Sequence, residues 1–305
     1  MCALPRISLK HWKADILSGV IVALVSIPIS MGYAQIAGLP PVYGLYGSVL
    51  PILVFALLTS SPQFVVGVDA MPAVMTGAAI SAMGFTLGTQ DAMDMAAILA
   101  LLTGVWFLVF WVVKAGRVVK YISSPVMGGF ISGVGATIIL MQVPKLFGGA
   151  PGTGELPELA VHIALQLGAF HPLSCVLGVG TVALMLVAKR FAPRFPMAAV
   201  LLALGVVLTA ALHVDRYGVA LLPEVRGGLP GLRLPPFELL AGRLETALVP
   251  SLTIALVVMA QTLLASNNYA LRYRYRIDTR RELLAYAGAE LAAGLVGCCQ
   301  VNGSV

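Results

Sequence analysis

Three polar side chains lie inside apolar stretches of the chain, where polar groups are costly and tend to mark ion or substrate pathways: Asp69, Gln261 and Glu290. Glu290 is flanked by alanines and a leucine. A hydrogen bond to a neighbouring helix would account for it, and a structural role is favoured. Gln261 needs several hydrogen-bond partners, which suits bonding between helices and contact with a substrate or ion equally.

The residues around Asp69 predict a broken helix. Valines on either side of Gly67 favour extended backbone, whereas Pro72 is tolerated in a helix only near its first turn. We therefore predict a strand, a break and a half-helix near 71–84, with the Asp69 carboxylate capping the free N–H groups of its first turn. Lipid offers an unwound backbone no hydrogen bonds, so such a break indicates a transport site, which Asp69 would contact.

The composition is that of a polytopic membrane protein. Of the 305 residues, 59% are hydrophobic and 10% are charged, and the mean hydropathy is +0.95. Soluble domains, by contrast, carry about a quarter charged residues. Apolar stretches of about 20 residues can each cross a bilayer. With the half-helix, they predict about nine spans of an all-α fold, which lie near 15–36, 41–59, 71–84, 92–113, 124–144, 172–190, 196–213, 246–268 and 281–299.

Basic residues cluster at the ends of alternate apolar stretches. With the N-terminus in the cytoplasm, 14 of the 19 lysines and arginines fall on the cytoplasmic side, the bias expected of a multi-pass protein of the cell membrane. This bias requires the segment 63–84 to cross, because otherwise every later cluster would change sides. Topology thus explains the net charge of +6, and nucleic acid is not an expected partner. The segments near 145–160 and 214–244 are predicted to be outer loops.

The sequence does not support metal or nucleophile chemistry. The four cysteines have no metal-ligand spacing, and the four histidines are scattered through tails, loops and span ends. Metal ligands do not cluster, and no nucleophile is paired with a base. We therefore predict neither a metal site nor a cofactor, and an integral-membrane enzyme is the least favoured class.

The last residues indicate a second break in a span, formed by Gln300, Asn302, Gly303 and Ser304. It comes just as that span begins, so we expect the chain to be truncated there. A half-helix N-terminus carries about +0.5 of a charge and unpaired N–H groups, and two of them meeting at the midplane would hold an anion. An ionised Asp69 would repel that anion unless it were protonated or paired with a cation. This suggests coupling to H⁺ or Na⁺.

Three stretches together resemble the SulP family of anion transporters, the sulfate permease family. The most characteristic lies within 15–46 and includes Ile27-Pro-Ile-Ser-Met-Gly-Tyr-Ala34. The second combines Val66-Gly-Val-Asp-Ala70 with the glycine-rich segment 123–133, and the third lies within 277–304. The resemblance therefore covers essentially the whole chain.

The resemblance implies a uracil-permease-like transmembrane domain of two inverted repeats of seven segments, in which a core domain moves against a gate domain. Core helices would lie at about 15–113 and 246–305, and gate helices at about 124–213. The rest of the second repeat and any STAS domain would fall outside these residues. The anion would lie between the third and tenth helices. By position, its site would be lined by Ile29, Tyr33, Asp69, Ala70, Gln261, Gly303 and Ser304.

The chain departs from the family pattern at three positions. Many members have glutamine where Ile29 stands, proline where Val68 stands and an acidic residue where Gln261 stands. This chain therefore lacks the acidic residue of the eighth helix and has a carboxylate on the opposite side of the site, at Asp69. If the eighth-helix carboxylate serves cation coupling in the family, its loss favours H⁺ over Na⁺ as the coupling ion here. The implied partners are a small inorganic or organic anion, H⁺ and the lipid bilayer. Because family members often form dimers, the resemblance also implies a second copy of the chain as a partner.

The leading hypothesis is secondary active transport of sulfate, bicarbonate or a small dicarboxylate by alternating access, as H⁺-coupled symport or as exchange. The nearest alternative is a nucleobase:cation symporter, since that function uses the same architecture. An anion channel is the alternative from a different class, and it would carry currents without exchange.

Overall fold

Eleven α-helices and two short strands carry most of the residues that the computed structural model describes, which are 12–116, 124–149, 156–166, 168, 170–192, 197–219, 221 and 228–303. The helices are α1 (Trp12–Ile36), α2 (Pro41–Gly47), α3 (Leu50–Leu58), α4 (Ala70–Ala82), α5 (Gln90–Val113), α6 (Ser124–Leu146), α7 (Leu156–Gln166), α8 (Pro172–Phe191), α9 (Met197–Leu212), α10 (Leu244–Tyr273) and α11 (Thr279–Leu295). The strands are β1 (Val66–Val68) and β2 (Val301–Gly303), and two 3₁₀ turns span Val214–Tyr217 and Phe237–Leu240.

Within the described residues, five helical segments are long and apolar enough to cross a membrane. They are Asp15–Ile36, Pro41–Leu58, Gln90–Val113, Pro172–Phe191 and Leu244–Tyr273, the second being α2 and α3 in succession. Shorter apolar helices lie at Ala70–Ala82, Gly135–Leu146 and Val200–Leu212. The predicted total of nine spans stays a prediction.

The broken third element is confirmed. Strand β1 precedes α4, and Pro72 lies in the first turn of that helix, where its missing N–H removes no helical hydrogen bond. The predicted half-helix near 71–84 is Ala70–Ala82 in the structure.

Three boundaries differ from the prediction. The span expected near 246–268 continues to Tyr273. The last span, expected near 281–299, ends at Leu295, because Gly297 adopts a left-handed conformation (φ +75°) and turns the chain towards β2. The outer loop predicted near 145–160 contains the start of α7, which has Glu158 in its first turn and buries Leu159. Residue Glu155 of that loop lies outside the described part of the chain.

The chain divides into two compact units, one from the described residues of 29–128 and 225–305, the other from those of 13–28 and 129–224. In the first unit, α11 packs against α5 and α3. Gly294 allows the close approach, since a Cβ there would lie 2.8 Å from the Ala97 carbonyl oxygen of α5. Aromatic side chains fill this core. The centroid of the Tyr286 ring lies 5.6 Å from that of Phe107, on which it stacks, and 4.9 Å from that of Phe55.

The second unit has its own packing. Gly178 of α8 lies against Leu146 at the end of α6, where a Cβ added to the glycine would be 3.0 Å from a Leu146 methyl. The rings of Phe147 and Phe170 lie 5.9 Å apart. His171 caps α8, because its Nδ1 accepts a hydrogen bond from the Ser174 N–H at 3.3 Å.

One end of the first unit is held by a group of polar residues from 58–61 and 275–282, which we call the Glu282 cluster. The buried Glu282 carboxylate accepts hydrogen bonds from Thr59 Oγ1 (2.9 and 3.0 Å), Ser60 N (2.7 Å) and Ser60 Oγ (2.6 Å). Arg281 Nε donates to the Leu58 carbonyl at 2.7 Å. These bonds fasten the start of α11 to the end of α3.

Candidate functional site

The two broken segments meet as a pair of antiparallel strands. Val66 lies opposite Gly303, Gly67 opposite Asn302 and Val68 opposite Val301. The pairing gives hydrogen-bond partners to backbone that two interrupted helices leave unsatisfied, which is a requirement at membrane depth. Strand β2 is the part of this site that the sequence analysis did not predict, because a three-residue run containing glycine has no strand periodicity.

Asn302 connects the two polar residues that the sequence singled out. Its Nδ2 donates to Asp69 Oδ2 at 2.8 Å and to Gln261 Oε1 at 2.7 Å, while its own Oδ1 accepts the Gly303 N–H at 2.9 Å. Asn302 is 1% exposed, so these bonds replace water completely. The structure therefore joins β1–α4, α10 and β2 through one amide.

Sequence reasoning placed Asn302 in the second break but did not include it among the residues lining the site. A usable signal was present, since Gln300 and Asn302 are two amides in an otherwise apolar stretch. Buried amides need hydrogen-bond partners from other elements. In a strand, residues two positions apart point to the same face, so this pair is informative only if the segment is interpreted as a strand.

The predicted cap of α4 is not formed. Asp69 occupies the N-cap position with extended backbone (φ −130°, ψ 156°), yet within the described residues its side chain makes no capping hydrogen bond to α4 and reaches only the N–H of the next residue, Ala70. The carboxylate instead accepts the Asn302 amide. Competition from β2, which sequence reasoning did not anticipate, explains the difference. Pro72 has no N–H and the Ala73 N–H is bonded to the Asp69 carbonyl oxygen, so Met71 carries the N–H of this turn that has no acceptor from Asp69 in the described contacts.

The other predicted residues are placed as follows. Tyr33 of α1 is half-buried and lies within electrostatic range of Asp69. Ala70 is the first residue of α4, and Ile29 on α1 is 41% exposed. Gly303 is buried against the Phe64 ring and lies near the Tyr286 hydroxyl. Ser304 lies outside the described residues.

Glu290 contacts the strand rather than a neighbouring helix, contrary to the expectation from sequence. Its side chain is 0% exposed, and Oε2 accepts the Val301 N–H at 3.3 Å. Within the described part of the chain, Oε1 has no hydrogen-bond partner.

Gln300, the residue before β2, is also fully buried. Its Oε1 accepts a hydrogen bond from Thr76 Oγ1 of α4, and its Nε2 donates to Thr103 Oγ1 of α5 at 3.3 Å. Helices α4 and α5 thus fix the residue that directly precedes β2.

Residues 12–305 match the model of the sulfate permease family. The chain belongs to this family. Members of the sulfate permease family are membrane transporters and not enzymes. The chain is 30% identical over 296 residues to a probable sulfate transporter of Mycobacterium tuberculosis, covering 97% of this chain and 52% of that protein. It spans about half the length of the curated relatives it matches.

Two solved structures have the fold of this sulfate permease family chain. The transmembrane domain of BicA, a cyanobacterium bicarbonate transporter, superposes with a TM-score of 0.82 at 23% identity, covering 98% of this chain and 76% of that one. The murine anion transporter solute carrier 26 family member A9, in its inward-facing state, superposes with a TM-score of 0.86 at 19% identity, covering 99% and 53%. The predicted uracil-permease-like fold is therefore confirmed.

Proposed function

We propose that this chain forms part of a secondary transporter that moves a small anion by alternating access. The observation that carries the proposal is the meeting of β1, β2 and α10 at Asn302, beside the N-terminus of α4. Family membership supports anion transport, and the geometry supports this location for the bound anion.

The α4 N-terminus supplies the attraction for the anion. Helix N-termini present free N–H groups and about +0.5 of a charge, which together bind oxyanions. Because Asp69 bonds to Asn302 instead of capping α4, it leaves the Met71 N–H of the first turn without a side-chain acceptor from Asp69. Sulfate, bicarbonate and small dicarboxylates all present the oxygen acceptors that such a site requires.

Asp69 is the residue that we propose for coupling. It lies beside the N-terminus where the anion would bind, and among the described residues no lysine or arginine forms an ion pair with it. A carboxylate so placed repels an anion unless a positive charge accompanies it. Proton binding at Asp69 supplies that charge, in symport or in exchange.

The domain assignment proposed from sequence places core helices at about 15–113 and 246–305 and gate helices at about 124–213. The first compact unit likewise combines an early and a late segment of the chain, whereas residues 13–28, assigned to the core from sequence, fall in the second unit with residues 129–224. We retain the homodimer as a prediction.

Contacts within the first unit support the predicted assignment of loops to the two sides of the membrane. With the N-terminus inside, alternation of the predicted spans puts residues 58–61 and 275–282 on the cytoplasmic side, and these bond to each other. The same alternation puts the outer end of the predicted span 92–113, which carries Asp94, on the side of the predicted outer loop 214–244, and Asp94 forms an ion pair with Arg233 of that loop at 2.6 Å. With the positive-inside bias, this supports an N-terminus in the cytoplasm.

The test is uptake of radiolabelled sulfate, bicarbonate and a dicarboxylate by proteoliposomes that contain the complete gene product, with and without an inward proton gradient. We expect saturable uptake of at least one anion and stimulation by the gradient. The Asp69→Asn variant should lose that stimulation and flatten the pH dependence of uptake, because an amide cannot bind the proton.

Several results would contradict the proposal. Uracil uptake without anion uptake would indicate the nucleobase symporter, and a current that rises linearly with anion concentration, without exchange, would indicate a channel. A normal pH profile in Asp69→Asn would reject Asp69 as the coupling residue.

A further inference from the structure

Residues 300–302, at the start of β2, are held by side chains and backbone from several elements of the first unit. Gln300 is held by Thr76 and Thr103 of α4 and α5, and Asn302 by Asp69 and Gln261. The residue between them, Val301, pairs with Val68 in the strand ladder, and its N–H is accepted by Glu290 of α11. Residues 300–302 therefore have no exposed side, and each anchor limits where the next residue lies.

Glu290 differs from the other anchors because it binds the backbone. Its bond to the Val301 N–H acts one residue before Asn302, whose amide bridges Asp69 and Gln261. In an extended strand, neighbouring residues are about 3.3 Å apart, so a displacement at Val301 is transmitted to Asn302 almost undiminished. Losing the Glu290 acceptor would therefore misplace the amide.

The surroundings of Glu290 favour a role as acceptor rather than as partner of a cation. The titratable groups of the described chain within its electrostatic range are Tyr286 of the same helix and Cys298 and Cys299 before β2, and these are not cations. Its spare oxygen, Oε1, is buried without a partner in the described chain. Retaining such an under-satisfied group is costly, and functional sites are where that cost is commonly found.

We infer that Glu290 is a positioning residue for the anion site: by accepting the Val301 N–H, it fixes strand β2 and so sets the distance from Asn302 to Asp69 and Gln261. This inference rests on the proposed function for its consequence in transport. Its structural part is independent of transport, because the order of β2 can be measured without a substrate.

The test compares Glu290→Gln with Glu290→Leu in the complete gene product. Glutamine keeps the carbonyl acceptor and the shape, whereas leucine keeps the volume and loses the acceptor. The matched control is Ser251→Ala, which removes a partly buried hydrogen bond from Trp106 of α5 (3.2 Å) in the same unit, away from β2. Glu290→Met, a flexible apolar side chain, replaces the leucine variant if that protein does not fold.

Two measurements are made on each variant: amide hydrogen exchange of a peptide covering 300–303, and the KM and kcat for the transported anion. Loss of one buried hydrogen bond, about 0.5–1.5 kcal/mol, corresponds to a change of about 2- to 13-fold. We expect exchange in the leucine variant to be faster by that factor and KM to rise by a similar factor with a smaller change in kcat. The glutamine variant and Ser251→Ala should match the wild-type protein in both measurements.

Three outcomes would overturn the inference. If glutamine is as damaging as leucine, the ionisable group and not the acceptor matters. If neither variant changes hydrogen exchange in 300–303, Glu290 does not hold the strand. Faster exchange with an unchanged KM would show that β2 does not set the site. Failure of the proposed function is recognised separately, because the wild-type protein would then take up no anion while the exchange difference persisted.

Discussion

Helix α11 carries two fully buried glutamates in very different surroundings. Glu282, near its start, receives hydrogen bonds from one backbone N–H and two hydroxyl groups. Glu290, eight positions later, receives one long bond from a strand and keeps one oxygen without a partner in the described chain. A fully satisfied buried carboxylate stabilises a fold, whereas a half-satisfied one is costly and indicates a site. The comparison separates the end of the helix that holds the unit together from the part that faces β2.

The largest effect is expected at the satisfied carboxylate. Glu282→Ala leaves the buried Thr59 hydroxyl and the half-buried Ser60 donors without this acceptor, and each donor left unsatisfied in the interior costs about 1–3 kcal/mol. The measurement is the free energy of unfolding of the complete gene product in detergent. The control is Glu245→Ala, which removes an exposed carboxylate from the first turn of α10. A loss below about 1 kcal/mol would remove the distinction between the two glutamates.

A smaller effect is expected from the two glycines of the strand pair. A Cβ on Gly303 would overlap the Phe64 ring and lie 2.7 Å from the Tyr286 hydroxyl, whereas a Cβ on Gly67 would meet nothing within 4 Å. Overpacking costs about 1–3 kcal/mol, so Gly303→Ala should lower stability by that amount and reduce anion uptake. Gly67→Ala, from the opposite strand, is the control and should retain stability. Equal losses in both variants would show that β2 is not the tightly packed strand.

The smallest effect is expected at a third acidic residue, Asp94 on α5. It pairs with Arg233, whose side chain is 41% exposed, while that of Asp94 is 8% exposed. Gln90 still donates to both Asp94 oxygens after Arg233→Gln, so stability should fall by about 1 kcal/mol, the upper end for pairs that water reaches. The difference from wild type should shrink in about 1 M salt, which thermal unfolding can measure. A larger loss of stability that does not depend on salt would show that Asp94 stabilises the fold as Glu282 does.

The sequence was sufficient for the elements that depend on local chemistry. The valines around Gly67 and the proline of the following helix predicted β1 and α4 correctly. Apolar length predicted a membrane protein, and the motif of residues 27–34 pointed to the family that the comparisons show. Each of these properties is set by residues close together in the chain.

The parts that depend on distant residues could not be predicted. Strand β2 exists because β1 lies opposite it, and Asp69 leaves its cap because the Asn302 amide reaches it from the far end of the chain. The turn at Gly297 that ends α11 early belongs to the same arrangement. Asn302 was therefore missed as a site residue for the same reason that the cap was predicted wrongly.

The most direct test of the account is the affinity for the transported anion after Asn302→Leu, with Asn267→Leu as control. Asn267 is an exposed amide on α10 that bonds only to its own helix at the Leu263 carbonyl in the described contacts. Losing the two bonds to Asp69 and Gln261 should weaken affinity by about tenfold or more, since each buried bond contributes about 1 kcal/mol. The control should bind the anion as wild type does. An unchanged affinity in Asn302→Leu would contradict the claim that this amide assembles the anion site.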